Sequence, residues 1–145
     1  MDVIIQGIQS LFSNWKGIQP DRIEKLPQSG SDRIYFRLYA QSQTYIAAYN
    51  LNVKENNTFI LFSKHFQQKK LPVPEIFCVN EEQTIYIQQD LGTHSLLNKL
   101  EEHGHNEYVY GLFEKSLYNL AQIQIKGNDG LDYNQCLTAK EFGKQ

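Results

Sequence analysis

The sequence predicts an α+β fold, on three observations. Residues 33–39 alternate, with Ile34, Phe36 and Leu38 on one face and Tyr35, Arg37 and Tyr39 on the other, the period of a strand with two unlike faces. Residues 54–69 set Phe59, Phe62 and Phe66 at helical spacing instead. After Asp90-Leu91-Gly92 only helical patterns follow. A small sheet with a helix packed on it, leading into a helical region, satisfies all three.

The elements can be read in order. Ile4, Ile8, Leu11, Phe12 and Trp15 recur at helical spacing and predict an amphipathic helix over 3–15, stopped by Gly17 and Pro20. A strand is expected near 22–27, then a polar turn holding Gly30, then the strand 33–39. Ala40-Gln41-Ser42-Gln43 reads as a hairpin turn into a third strand at 44–50. The helix 54–69 ends before Leu71-Pro72-Val73-Pro74, because prolines at that spacing cannot continue it. Strands at 75–79 and 84–88, joined by Asn80-Glu81-Glu82-Gln83, complete a five-stranded meander interrupted by one helix. Beyond it a short helix is expected over 95–102 and a longer one over 107–125, whose inward stripe is Phe113, Leu117, Leu120 and Gln124. Gly127-Asn128-Asp129-Gly130 ends the longer helix, and Thr138 onward begins another. The change of character divides the chain into residues 1–89 and 90–145, with the boundary at Gln89–Gly92.

Composition narrows the functional classes. The chain has 145 residues, 41% hydrophobic and 21% charged, as a soluble globular domain or part of a larger one has. A net charge of −2 supplies no basic field, which argues against nucleic acid as a partner. Cys78 and Cys136 lie far apart, fit no metal or redox spacing, and are expected as free thiols in a reducing compartment. The N-terminus carries Asp2, Gln6, Ser10 and Asn14 among its apolar residues, so no signal peptide or membrane span is read there and a cytoplasmic location is expected.

The stretch from Leu26 to Arg37 carries the most chemical information. Gly30 can take a positive φ without a Cβ penalty, and Ser29 and Ser31 add hydroxyl and backbone donors. A donor-rich loop between two antiparallel strands can close over phosphates; the same stretch also fits an ordinary β-hairpin. Four segments then follow in order: Gly30-Ser31-Asp32-Arg33-Ile34-Tyr35-Phe36-Arg37, Glu55-Asn56-Asn57-Thr58-Phe59, Leu71-Pro72-Val73-Pro74-Glu75-Ile76 and Gln88-Gln89-Asp90-Leu91-Gly92. Together they resemble the aminoglycoside phosphotransferase and choline kinase-like family, which has the protein-kinase-like fold. The nearest branch is the bacterial anomeric sugar kinases acting on N-acetylmuramate or N-acetylglucosamine. The resemblance covers nearly the whole chain, but only the front part of such an enzyme.

That resemblance implies a kinase-like N-terminal lobe over 1–89, then a hinge and the start of a truncated helical lobe over 90–145. Ser29, Gly30, Ser31 and Asp32 would form the loop over the phosphates of ATP or another nucleoside triphosphate. The backbone of Gln88, Gln89, Asp90 and Leu91 would meet the adenine edge, although Asp90 can equally cap the following turn. Glu55 opens the second helix, where the family's acid would pair with a strand-3 lysine; it can equally be an acid favoured by the helix dipole. The third strand, Tyr45-Ile46-Ala47-Ala48-Tyr49-Asn50, has no lysine, and Lys54 lies beyond it.

The family's catalytic loop is absent from the sequence. It needs a histidine and aspartate base followed by a metal-binding asparagine, then a second metal-binding aspartate. His103-Gly104-His105-Asn106 lacks the aspartate, its histidines read as exposed, and Asp129 and Asp132 come too early in a turn context. No catalytic or metal-binding residue is therefore expected in this chain, and Mg2+ is expected only with the complete enzyme. Two functions remain open: the front part of a small-molecule phosphotransferase acting on a sugar-like hydroxyl and inactive alone, or a non-catalytic, pseudokinase-like module binding a nucleotide or a partner. Self-association through the exposed face of the 107–125 helix is a further expectation.

Overall fold

The computed structural model describes residues 1–28 and 30–139. Helix α1 (Asp2–Lys16) leads to strand β1 (Arg22–Lys25), β2 (Ile34–Ala40) and β3 (Gln43–Tyr49). Helix α2 (Val53–Gln68), β4 (Ile76–Val79) and β5 (Ile85–Gln89) follow, then α3 (Leu96–His103), α4 (Glu107–Asn128) and a 3-10 turn at Tyr133–Gln135. The fold is α+β: one five-stranded antiparallel sheet and four α-helices.

The ends of these elements are set locally. Gly17 takes the left-handed conformation at φ 74° and returns its N–H to the Ser13 carbonyl, closing α1. Gln41 and Ser42 both adopt positive φ in the two-residue turn between β2 and β3, the arrangement whose twist matches a tight hairpin. The Asn52 side chain accepts from the Glu55 N–H and caps α2.

The strands are not in meander order. The sheet runs β1-β2-β3-β5-β4, so β5 pairs with β3 and β4 is left at the edge. The cause lies in Ile85, Tyr86 and Ile87, which are buried on both faces, whereas β4 is largely half-buried. A strand apolar on both sides needs a neighbour on each edge.

Alternation then divides the sheet into two faces. On the outer face α1 presses Ile8 and Phe12 onto Phe36, Leu38, Ala47, Ile85 and Ile87, forming the main core. On the inner face α2 covers Ala48, Ile76 and Tyr86 with Ile60, and Phe59 stacks on Tyr86 with ring centroids 5.4 Å apart. The expected phenylalanine stripe of α2 is thus displaced: Asn56, Ile60 and Ser63 are its buried residues, while Phe62 and Phe66 are half-buried. Phe66 packs against Gly127 of α4, where an added Cβ would come within 2.8 Å of its ring.

Helix α4 leaves its apolar stripe partly exposed, as expected where no further helices cover it. Its buried residues are Val109 and Gly127; Phe113, Leu117 and Leu120 are 40%, 66% and 50% exposed, and Gln124 is also exposed. Asn106 caps the helix and Gly127 seats it against α2, and these two ends fix which side faces in. The helix expected from Thr138 onward falls mainly outside the described residues. Among the described residues no helix is long and apolar enough to cross a membrane.

This orientation makes a prediction. Val109→Ala removes fully buried methyl groups and should cost about 1–2 kcal/mol at roughly 0.8 kcal/mol per buried carbon. Leu117→Ala, at an exposed site, should stay within about 0.5 kcal/mol of wild type. Urea denaturation of both variants checks it, and the reverse ranking would mean that the expected stripe faces inward.

Candidate functional site

The inner face changes character where α2 stops covering it. From β2 it carries Tyr35, Arg37 and Tyr39, from β3 Ile46 and Ala48, and from β5 Tyr86 and Gln88. Each pairs in register with residues of the same face: Tyr35 with Ala48, Arg37 with Ile46, Ala48 with Tyr86 and Ile46 with Gln88. A polar, aromatic and cationic surface therefore backs directly onto the dry core under α1.

At one end lies the β3–α2 junction. The Asn50 side chain, in line with Ile46 and Ala48, donates to Glu55 Oε2 at 3.1 Å and accepts from the Asn52 N–H at 3.0 Å. Asn56 is fully buried and donates to the Asn50 and Gln83 carbonyls at 2.9 and 2.7 Å. Glu55 is held so that its second oxygen meets a cation. That cation is Arg33, whose Nη2 lies 2.6 Å from Glu55 Oε1.

Arg33 enters from the end of the polar loop and lies against Phe59 and Tyr86, 5.4 and 6.0 Å from their ring centroids. Burial disfavours its charge, but the Tyr35 hydroxyl and the fields of Tyr86 and Glu55 outweigh that, and its pKa is raised. Its Nε is buried with no hydrogen-bond partner among the described residues. Gln88 Oε1 is buried and unpartnered in the same way, and the buried Tyr86 Oη has the Tyr35 hydroxyl beside it.

At the other end of the face Arg37 grips the segment after β5. Its Nε is 2.7 Å from Asp90 Oδ2, and its Nη2 is 3.2 Å from Asp90 Oδ1 and 3.1 Å from the Gly92 carbonyl. The Gly92 N–H in turn donates to Asp90 Oδ1 at 2.9 Å. Burial pushes the Asp90 carboxyl up, yet the bonds from Arg37 and Gly92 prevail and hold it below the usual carboxylate range. Asp90 therefore does cap a turn, and its carboxylate is committed to the protein. Arg33 and Arg37 stand four residues apart on one face, about 13 Å along the backbone at roughly 3.3 Å per residue.

The other expected residues fall as follows. Ser29 lies outside the described residues, and Gly30, Ser31 and Asp32 are exposed. The loop is wider than a tight turn, since its last ladder bond joins the Leu26 N–H to the Tyr35 carbonyl. It is braced internally by Gln28 to the Ser31 carbonyl at 3.1 Å and by the Arg33 N–H to Ser31 Oγ at 3.2 Å. Gln88 faces inward. Gln89 is exposed on the opposite face, where its Oε1 accepts from the Glu75 N–H, so strand alternation parts it from the others. Leu91 is 70% exposed.

Beside Arg33 and Glu55 a groove of about 380 Å³ runs along α2, lined by Phe59, Phe62, Phe66, Val73, Pro74 and Leu137. Among the described residues no three His, Cys, Asp or Glu side chains converge to hold a metal ion. His103 and His105 are exposed, and Cys78 and Cys136 are free. Burial pushes the Cys78 thiol up to about 11, which keeps it protonated and unreactive at neutral pH.

No protein-family model matches the chain, and no curated protein is similar to it. The site is therefore defined by its own geometry. Sequence reasoning missed Arg33 and Arg37 as its two cations. The available signal was their spacing: Arg33, Tyr35 and Arg37 alternate onto the face opposite the apolar residues.

The Arg37–Asp90 pair should contribute measurably to stability. Arg37→Ala leaves a nearly buried carboxylate without its partner and should cost about 3 kcal/mol. Asp90→Asn tests the pH dependence. A carboxyl with a depressed folded pKa stabilises above its unfolded value of about 3.9 and loses that contribution as pH falls through the folded value. The wild-type advantage over Asp90→Asn should thus persist at pH 5–7 and decline progressively as pH falls below about 4 toward the lower, folded value; an advantage independent of pH would refute the assignment.

Proposed function

We propose that the chain is the N-terminal, nucleotide-facing part of an ATP-dependent phosphotransferase of the aminoglycoside phosphotransferase and choline kinase-like family. Its substrate class is a sugar or amino-sugar hydroxyl. The observation that carries this reading is the inner face of the sheet: Arg33 at the entry to β2 and Arg37 within it, about 13 Å apart along the backbone at roughly 3.3 Å per residue, with buried polar atoms still unpaired between and beside them. A nucleotide laid along that face has its base near Gln88–Leu91 and its phosphates near Gly30, Ser31 and Asp32.

In this reading the residues divide the work of binding. The unpaired Gln88 Oε1 is an acceptor suited to an exocyclic amino group on the base. Asp90, locked to Arg37 and Gly92, is a positioning residue that holds the segment after β5, leaving its backbone to meet the base. Ile46 lies between the two charged ends as an apolar residue of the face, next to Ala48, which is buried under α2. Mg2+ belongs, in this reading, with the complete enzyme, as the family resemblance implies. Catalysis of phosphoryl transfer rests on positioning and charge neutralisation around a base, and no residue from Asp90 to Gln145 matches that base in type and spacing. That absence favours, as the second reading, a non-catalytic module that binds a nucleotide or a partner. A reading frame that continues past Gln145 into a histidine–aspartate loop supports the enzyme; a stop codon there supports the module.

Gly30→Val should leave stability unchanged, because a Cβ there meets no described atom within 4 Å, yet weaken ATP binding by crowding the approach of phosphate. Calorimetry giving equal ATP affinity for both folded proteins would count against the loop's role. The chain alone, incubated with magnesium-ATP and N-acetylmuramate or N-acetylglucosamine, should form no sugar 1-phosphate above a no-protein control. A missing general base alone costs roughly two to four powers of ten. Product formation in proportion to protein would overturn this view of where catalysis resides.

A further inference from the structure

We infer that Arg33 is the phosphate-binding cation of this site, with Glu55 as its positioning residue and Asn50 standing where a strand-3 lysine is expected. The inference rests on the nucleotide reading above and names the residue that makes it work. Asn50 occupies the inner-face position after Ile46 and Ala48, and its amide already reaches Glu55. An amide can orient that carboxylate but cannot neutralise a phosphate. The charge comes instead from across the sheet, through the 2.6 Å contact of Arg33 Nη2 with Glu55 Oε1.

Three features make Arg33 a ligand-binding group rather than a purely structural one. A guanidinium has five N–H donors. Here one nitrogen meets Glu55, another reaches the Tyr35 hydroxyl at the long distance of 3.5 Å, and the buried Nε meets nothing among the described residues. A buried donor left unpaired costs stability, so an acceptor is called for there, a ligand oxygen or an ordered water. Arg33 also follows directly on the Gly30–Asp32 loop, and its backbone N–H donates to Ser31 Oγ, which fixes the end of the loop from which the side chain departs. Finally, it lines the groove along α2 and is backed by Phe59 and Tyr86, which hold the planar group in one orientation. A phosphate oxygen is the acceptor that matches a fixed, donor-rich guanidinium.

The test compares ATP with adenosine, which shares the base and lacks the phosphates. In wild type both should bind, ATP more tightly. Arg33→Gln should lose at least tenfold in ATP affinity and leave adenosine unchanged, and Arg33→Gln with Asn50→Lys should recover part of the loss. A folded Arg33→Gln that binds ATP as wild type does would overturn the inference while leaving the nucleotide reading intact. Wild type binding neither ligand would overturn both. Should Arg33→Gln fail to fold, the wild-type protein decides. The sequence holds three arginines, Arg22, Arg33 and Arg37, so side-chain nitrogen NMR gives few Nε–H signals. Arg33→Lys, which keeps the charge, assigns the Arg33 signal by its disappearance. That signal should move on adding ATP and stay on adding adenosine; no movement with ATP at saturation refutes the role.

Discussion

Everything in this structure depends on the two unlike faces of one sheet. The alternation along β2 sends Phe36 and Leu38 to α1 and Tyr35 and Arg37 to the opposite side. Because the register of β2 with β3, and of β3 with β5, is fixed by the buried face, the polar face inherits its geometry from the core. A one-residue slip of β2 against β3 would carry Arg37 into the hydrophobic layer. The core under α1 thus does more than stabilise the domain: it sets the spacing of the two cations.

Helix α2 turns that polar face into a site. Asn50, Asn52 and Asn56 tie the end of β3 to the first turn of the helix, and the helix dipole favours an acid there. Glu55 is the helix-opening acid that the sequence allowed, and its cation is Arg33 rather than the strand-3 lysine that the resemblance implied. What the sequence did not reveal is the partner. A lysine within β3 was what the family resemblance implied. Arg33 instead lies 22 positions before Glu55 in the chain, a long-range contact that no local pattern encodes.

Legibility followed periodicity. The strands and helices were readable because their apolar residues recur at two distinct periods, and the boundaries lay within a few residues of those expected. Strand order was not readable from local signals, since it depends on β5 being apolar on both sides and so occupying the interior. The exposed face of α4 was legible, but the residues that seat the helix on the fold were not, for a related reason. Its largest apolar residues, Phe113, Leu117 and Leu120, form the obvious stripe, yet Val109 and the small Gly127 face the fold. Size misled there, because close approach of α4 to Phe66 requires the absence of a side chain at 127. Of the expected site residues, Glu55, Gln88 and Asp90 gather on or beside the inner face, whereas Gln89 is parted from them by the strand's own alternation.

The central claim is that the inner face between the Gly30 loop and the segment after β5 is a nucleotide surface. Amide hydrogen exchange with and without saturating ATP tests it most directly, because it reports every segment of the unmodified chain together. The account predicts added protection over residues 30–37 and 88–92, with the exchange of α1 and of the outer-face pocket around Trp15, Tyr45 and Phe77 unchanged. Protection confined to that outer pocket, or to the exposed face of α4, with residues 30–37 unaffected, would contradict it.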